Sequence, residues 1–340
     1  MPNSLFLRVP KKEGEKYRRE LSDEGVLRKD AKITSDLSFI YLPISRKFKT
    51  NLKILKRLSI PLSKKPRSIE DALKGKLSQS QLASLTKSFD IIGDIAILEI
   101  PASLQKHELK IAKAVSAVHP NVKCVCKKTS GMQGKFRIRK VKVLLGRRST
   151  STLYTENGMR MLVDISKMYF SPRLSTERKR IAEMVREKEN VLVLFSGCCP
   201  YPLIISKFQP DCKITAIELN PKAHESALKN IALNKAGNIT AILGDARKVV
   251  KRSHNRYNRI CMPLPKGAEK FLDAAFCAAK PNCTVHIYSF GPRENPCGKV
   301  LEAIEKQAEK SKRKIQILNK KMVRPFAPGI EQWVIDFKIF

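Results

Sequence analysis

The chain has 340 residues, 42% of them hydrophobic, which is too long for one small core and suits two or three packed domains. Lys and Arg number 67 against 31 Asp and Glu, a formal net charge of +36 carried in runs such as Lys11-Lys12, Lys64-Lys65 and Arg147-Arg148. Hot-adapted or merely soluble surfaces carry both signs in comparable numbers, so this excess points to a polyanion such as nucleic acid, while the single Trp333 and 6% aromatics argue against a stacking-rich single-strand reader.

Residues 1–62 read as a small α+β domain. Residues 4–10 (SLFLRVP) form a strand, 11–25 a charged helix ending at Gly25, and 39–44 (FIYLPI) a second strand. Pro61, Pro66 and the Lys64-Lys65-Pro66-Arg67 cluster read as a linker. A basic α+β domain over 63–166 follows, with a helix over 68–88, two strand-like halves around Gly93-Asp94 and a helix over 103–118. Strand-like residues then run from 122–128 through 134–146, where Phe136 and Ile138 alternate with Arg137 and Arg139, giving one packed and one cationic face. Residues 159–166 close the domain.

From about 167 to 340 strands alternate with helices. Strands are expected at 190–195, 213–219, 239–243, 256–262 and 283–290, with helices to about 208, from Pro221 to Asn234, and over 267–279 and 295–312. This rhythm predicts an α/β, mostly parallel, doubly wound sheet. Two closing strands, 314–323 and 332–339, have no helix between them and predict an antiparallel edge. Nine cysteines include Cys124-x-Cys126 and the adjacent Cys198-Cys199, but no C-x-x-C and no His at ligand spacing, so no metal is expected. The odd count reads as reduced thiols of a soluble cytoplasmic protein, and no apolar run reaches the length of a membrane span.

Four features collect at successive strand ends, where doubly wound folds hold their ligands. FSGCCP (195–200) has Gly197, where backbone can approach a ligand closely. Glu218 ends the second strand, 21 residues later, where a carboxylate accepts both hydroxyls of a ribose. Asp245 follows the third strand, in the place where methyltransferases hold the adenine amino group, and MPLPK (262–266) follows the fourth, where target bases insert. Without G-x-G-x-x-G, S-adenosylmethionine fits better than a nicotinamide cofactor.

The stretches GKFRIR, TENG, VDISKMYFSPRLSTERKRIA, FSGCCPYPLIISKF, AIELNPKAHESALKNIALNK, GDAR and MPLPKGAEKFL, with the terminal VRPFAP and VIDFKI, together resemble archaeal tRNA (guanine-37-N1)-methyltransferases over essentially the whole chain. The resemblance implies a Rossmann-like class I methyltransferase domain preceded by two smaller α+β domains, with S-adenosylmethionine as cofactor and the tRNA anticodon loop and body as partner of a monomer. It implies that Tyr169, Glu218 and Asp245 hold the cofactor, with Gly197 and the loop around Pro200 lining its pocket. Glu177, as general base for guanine N1, and Arg137, as the cation stabilising O6, would carry the chemistry. Arg173 would anchor phosphate or cofactor, and Pro263, Pro265 and Lys266 would face the guanine. Two positions depart from the family pattern: Pro263 stands where the fourth motif begins with Asn, and Cys199 replaces a second loop glycine. Both resemble a divergent subgroup that also methylates C7 of 4-demethylwyosine. Related aminocarboxypropyl transferases of the wyosine pathway and a catalytically silent RNA-binding protein are the alternatives; the SPR-x-x-x-ER segment favours methyl transfer.

Overall fold

The structure, a computed structural model, describes residues 3–60, 66–86, 88–251 and 254–340, in two compact units, Met1–Arg67 and Ser68–Phe340. In the first, β1 (Asn3–Pro10), β2 (Thr34–Ser35), β3 (Phe39–Ile44) and β4 (Ile54–Leu58) form an antiparallel sheet in the order β2-β3-β1-β4. The charged segment after β1 begins as a 3-10 turn and becomes α1 (Gly14–Asp23), whose Leu21 packs on Leu7, Val9, Leu42 and Ile44. Of the expected linker, Pro61, Lys64 and Lys65 lie outside the described residues.

The second unit opens with two short helices, α2 (Ile69–Leu73) and α3 (Gln79–Ala83), where one helix over 68–88 is expected from the sequence. Gly75, at φ +70, breaks the run, and Ser68 and Ser78 cap the two starts through their hydroxyls. Next come β5 (Asp90–Ile92), β6 (Ile95–Leu98), α4 (Glu108–Val118), β7 (Cys124–Lys128) and β8 (Val141–Gly146), a four-stranded sheet in that strand order. Strands β6 and β7 are parallel, joined through α4. The expected strand over 134–146 starts only at Val141. Residues 134–137 instead make a tight turn, closed by hydrogen bonds between Gln133 and Ile138, and place Arg137 at φ +53. An antiparallel ribbon follows, β9 (Ser151–Glu156) and β10 (Met159–Asp164), joined by Asn157-Gly158 with both φ positive. An Asn-Gly pair with that geometry is the strongest short-range hairpin signal in a sequence.

After α5 (Ser175–Met184) the α/β rhythm is realised: β11 (Asn190–Leu194), α6 (Pro200–Phe208), β12 (Lys213–Glu218), α7 (Pro221–Leu233), β13 (Ile239–Leu243), α8 (Ala246–Val250), β14 (Tyr257–Met262), α9 (Leu272–Ala278), β15 (Ala279–Pro292), α10 (Gly298–Lys310), β16 (Ile315–Ala327) and β17 (Ile330–Ile339). The sheet order is β13-β12-β11-β14-β15-β17-β16, parallel through β15 and then antiparallel. The chain winds outward from β11 to β13 and returns to β14 on the other side, so the topological switch falls between β11 and β14.

Strand β11 is buried on both faces, as central parallel strands are. Leu192 and Leu194 join one core with α9 and α10, and Val191 and Val193 join the other. That second core also takes Ile95, Ile97, Cys124 and Cys126 from the four-stranded sheet, together with Met161 and Val163 of the ribbon. The alternate residues Ala96, Leu98 and Val125 point instead to α4. Period-two alternation in β6 and β7 thus serves two interiors, and the shared one fixes both sheets in a single unit.

Candidate active site at the switch point of the sheet

The loop from β11 to α6 sits at the switch, and its backbone is unusual. Phe195, Gly197 and Cys199 all have positive φ, at 56°, 57° and 68°. Cys199 occupies a left-handed position that glycine adopts freely, at a cost on the order of 1 kcal/mol for a residue bearing a Cβ. Cys198 and Cys199 are fully buried, which pushes both thiols well above the usual range, so they serve as packing. Pro200 is the first residue of α6.

Glu218, at the end of β12, reaches this loop. Its Oε2 accepts the Gly197 amide at 2.7 Å and its Oε1 the Asn220 amide at 2.7 Å. Burial pushes its carboxyl up and these backbone donors pull it back, the net direction being upward. An ionised carboxylate has about four acceptor sites, so two remain for a pair of hydroxyls. A Cβ built on Gly197 would meet Tyr169 O at 3.9 Å as its nearest heavy atom, so the glycine borders open space beside Tyr169. A ribose diol between Glu218 and Gly197 therefore fits the residues present. Asp245 caps α8 by accepting the Arg247 amide at 2.9 Å, which engages one carboxylate oxygen.

A cavity of about 760 Å³ adjoins at Tyr169. Arg137, Tyr169, Arg173 and Lys266 line it; Gly197, Pro200, Glu218, Asp245, Pro263, Pro265 and Glu177 do not. Arg137 lies 5.8 Å from the Tyr169 ring centroid, and burial lowers its pKa. Arg173 donates to Asp90 Oδ1 at 2.7 Å, and Arg139 approaches Asp90 Oδ2 at 4.0 Å. Asp90, which sequence reasoning missed, thus organises two cations of the wall. The loop after β14 is tied down by Phe290 N–H donating to Pro265 O at 3.0 Å, leaving Leu264, Lys266 and Gly267 to the cavity.

Glu177, which does not line the cavity, is 5% exposed with both oxygens occupied. Arg180 donates to Oε1 and Oε2 at 2.8 Å each, and Tyr288 Oη–H donates to Oε1 at 2.7 Å. Arg180 also donates to Asp336 Oδ2 at 2.8 Å. Asp336 in turn holds His286 Nδ1 at 2.6 Å, and His286 Nε2 lies 2.8 Å from Arg259 Nη1. A guanidinium only donates, so Nε2 accepts and Nδ1 carries the proton, consistent with the burial that lowers this histidine's pKa. The neighbouring Arg178 plays a different part: it pairs with Glu156 at 2.7 and 2.5 Å and donates to Ser171 O, pinning the segment that carries Tyr169.

Two asparagines join the pieces. Asn220 donates to Lys167 O at 2.8 Å, and Asn230, fully buried on α7, donates to Cys198 O at 3.0 Å and exchanges bonds with the Leu162 backbone. The ribbon, the switch-point loop and the Tyr169 segment are thereby held to one helix. Among the described residues no group of His, Cys, Asp and Glu could hold a metal ion, and no helix is long and apolar enough to cross a membrane.

The comparisons with known proteins agree with this architecture. Residues 152–318 match the TRM5/TYW2 methyltransferase domain, 69–150 the TYW2 N-terminal domain and 7–52 the tRNA methyltransferase 5 N-terminal domain. The chain is 36% identical over 336 residues to tRNA (guanine(37)-N(1))-methyltransferase Trm5b of Pyrococcus abyssi, covering 99% of each chain. It is 33% identical over 271 residues to tRNA (guanine(37)-N(1))/4-demethylwyosine(37)-methyltransferase Taw22 of Nanoarchaeum equitans, covering 64% of this chain and 89% of that one. Among solved structures it is similar to aTrm5 in complex with tRNALeu (TM-score 0.79, 34% identity, 99% and 100% of the two chains). A second is Methanocaldococcus jannaschii Trm5 in complex with adenosine (TM-score 0.67, 31% identity, 98% and 99%). The full-length identity, the matching domains and the likeness to solved structures place the chain in the TRM5/TYW2 methyltransferase family.

Proposed function

We propose that this protein transfers a methyl group from S-adenosylmethionine to N1 of guanine at position 37 of tRNA, acting as a cytoplasmic monomer. The observation that carries the reading is the juxtaposition at Tyr169: a ribose-accepting Glu218–Gly197 pair on one side, a cation-lined cavity on the other. The full-length relatives named for this reaction support it, as does the tRNA-bound neighbour.

Glu218 and Gly197 would hold the ribose, Tyr169 and the loop at Pro200 would border the cofactor, and Asp245 would receive the adenine amino group on its free oxygen. S-adenosylmethionine, when bound, supplies an electrophilic methyl on a sulfonium. The target nucleotide leaves its stack to reach the cavity, entering past Lys266 between the Pro263–Pro265 loop and Arg173, where phosphate is attracted. Guanine N1 carries a proton and is a poor nucleophile until it loses it. Glu177 would take that proton once its carboxylate turns into the cavity, which it does not line in the structure, and Arg137 would stabilise the charge that moves onto O6. For Glu177 to act, Arg180 must release it. Arg180 already holds Asp336 with its other arm, so the release leaves no unpaired buried cation.

The same pocket is read as methylating C7 of 4-demethylwyosine, the carbon gaining the methyl and losing its proton. Pro263 supports this second activity: without a side chain that hydrogen-bonds guanine, the loop is less dedicated to that base, and the bifunctional Taw22 is a relative. Nucleoside mass spectrometry of tRNA after incubation with labelled cofactor tests both. Label in N1-methylguanosine and, with tRNA carrying 4-demethylwyosine, in isowyosine is expected. Label only in N1-methylguanosine removes the second activity, and an aminocarboxypropyl adduct overturns the reaction type.

A further inference from the structure

One wall of the cavity is built where the last parallel strand, β15, meets the terminal hairpin. Phe290 on β15 and Phe326 on β16 stack there with centroids 4.0 Å apart and planes inclined at 31°. The Arg324 guanidinium lies 5.7 Å from the centre of the Phe326 ring, and its Nε–H donates to Gln332 Oε1 at 2.9 Å. Gln332 is buried on β17 and pairs in register with both Phe290 and Arg324, so it fixes the geometry of the group.

Phe326 is 53% exposed, a large aromatic ring open to water. Its orientation is built in by the backbone. Register shifts in β16 fall between Met322 and Arg324 and again between Pro325 and Ala327, so Phe326 is itself an extra residue facing no partner on β17. Such bulges re-aim side chains, and here the side chain is delivered to the cavity wall. A ring needed only for packing would lie against an interior; this one ends a stack that is open on its outer side. The same cavity carries eight Lys and Arg against two acidic residues. An open aromatic face with an arginine beside it, inside a cationic pocket, is the chemistry that receives an unstacked nucleobase next to its phosphates.

We propose that Phe326, backed by Phe290 and flanked by Arg324, is a stacking shelf for a nucleobase adjacent to the methylated one. The inference rests on the RNA reading above. The target base is assigned to Arg137 and Tyr169, while the shelf is carried by β15 and the β16–β17 hairpin; a cavity of this size lies in the range that takes a ligand larger than one base. The shelf holds the neighbouring base out of its own stack, which keeps the target nucleotide extruded without touching the reacting atoms.

The test uses the full-length protein and tRNA carrying 2-aminopurine on either side of the target guanosine. Binding by the wild type is expected to quench 2-aminopurine at one of the two flanking positions. Phe326→Ala is expected to abolish that quench and raise the KM for tRNA about 5- to 100-fold, the worth of one base–aromatic stack. S-adenosylmethionine affinity should not change, and Phe326→Trp should restore both quench and KM. Because Phe326 is half exposed, these variants spare the core. Equal quench and equal KM in Phe326→Ala overturn the shelf, as does a loss of S-adenosylmethionine binding that tracks the loss of tRNA affinity. Methyl transfer measured on the same mixtures separates the two readings: a Phe326-dependent quench without any transfer supports the shelf and overturns the proposed reaction.

Discussion

The side chains of the SPR-x-x-x-ER segment divide their work. Arg178 and Glu156 form an ion pair with each side chain only 2% exposed, and Arg178 also holds Ser171 O. Two charges withdrawn from water stabilise the fold only together, and removing one strands the other. Glu156→Ala should therefore lower unfolding stability by roughly 3–5 kcal/mol, read by urea denaturation, while Glu156→Leu with Arg178→Met should recover most of it. Equal losses in the single and double variants would refute the pairing argument. Glu177, one residue away in sequence, faces Arg180 and Tyr288 instead. That adjacency explains why the residues of this segment could be listed from sequence while their partners could not: successive residues of one helical turn point to different groups. Arg137 carries a related lesson. Alternation around Phe136–Arg139 reads as a strand, but Gly134 turns the chain and Arg137 reaches the cavity from a left-handed turn position.

At the scale of elements, the connection from β10 to the Tyr169 segment depends on one carboxylate. Asp164 accepts from Thr150 Oγ1 at 2.8 Å, from Ser151 Oγ at 3.0 Å, from the Ser166 amide at 3.0 Å and from Lys167 Nζ at 3.2 Å. Burial alone would raise its pKa, but these donors outweigh burial and bring it from 3.8 to about 2. A carboxyl depressed by folding stabilises the fold fully above its unfolded value and loses that contribution as pH falls through the folded one. Stability should thus decline between pH about 4 and about 2, and Asp164→Asn should be less stable at neutral pH yet show a shallower decline over that window. An unchanged slope would show that Asp164 does not set the acid limb.

The alternation of helices and strands from residue 190 onward, including the antiparallel closing pair, was legible because central parallel strands are continuous apolar runs with few competing readings. Two short strands before residue 160 were not. Strand β4 is mostly exposed and β9 has few buried positions, so neither shows an apolar pattern, and the Asn157-Gly158 turn was the available signal for the ribbon. Asp90, Asn220 and Asn230 were invisible for another reason: what they hold lies far away in sequence, as the separation of 68 positions between Asn230 and Leu162 shows. Low aromatic content argues against a stacking-rich reader but does not report placement, and the proposed shelf needs only two rings, Phe290 and Phe326.

On the scale of the whole molecule, the net charge of +36 and the basic lining of the cavity fit a partner bound through its phosphates. The logarithm of the tRNA association constant should fall linearly with the logarithm of salt concentration, with a slope steeper than about −3, as several contacts of roughly −0.7 to −0.9 each require. A flat salt response in filter-binding titrations would show that the positive charge has another purpose. Loading with S-adenosylmethionine should be nearly insensitive to salt by comparison, since the pocket proposed for it rests on the Glu218–Gly197 pair rather than on the basic surface.

The proposed transfer needs a carboxylate that removes the N1 proton and a guanidinium that stabilises O6. Single-turnover methyl transfer to guanosine 37, followed by nucleoside mass spectrometry, tests this directly in wild type, Glu177→Gln and Arg137→Ala. The expected result is N1-methylguanosine from the wild type, with the rate reduced about 10²- to 10⁴-fold in each variant and S-adenosylmethionine affinity retained. Turnover near the wild-type rate in both variants would contradict it.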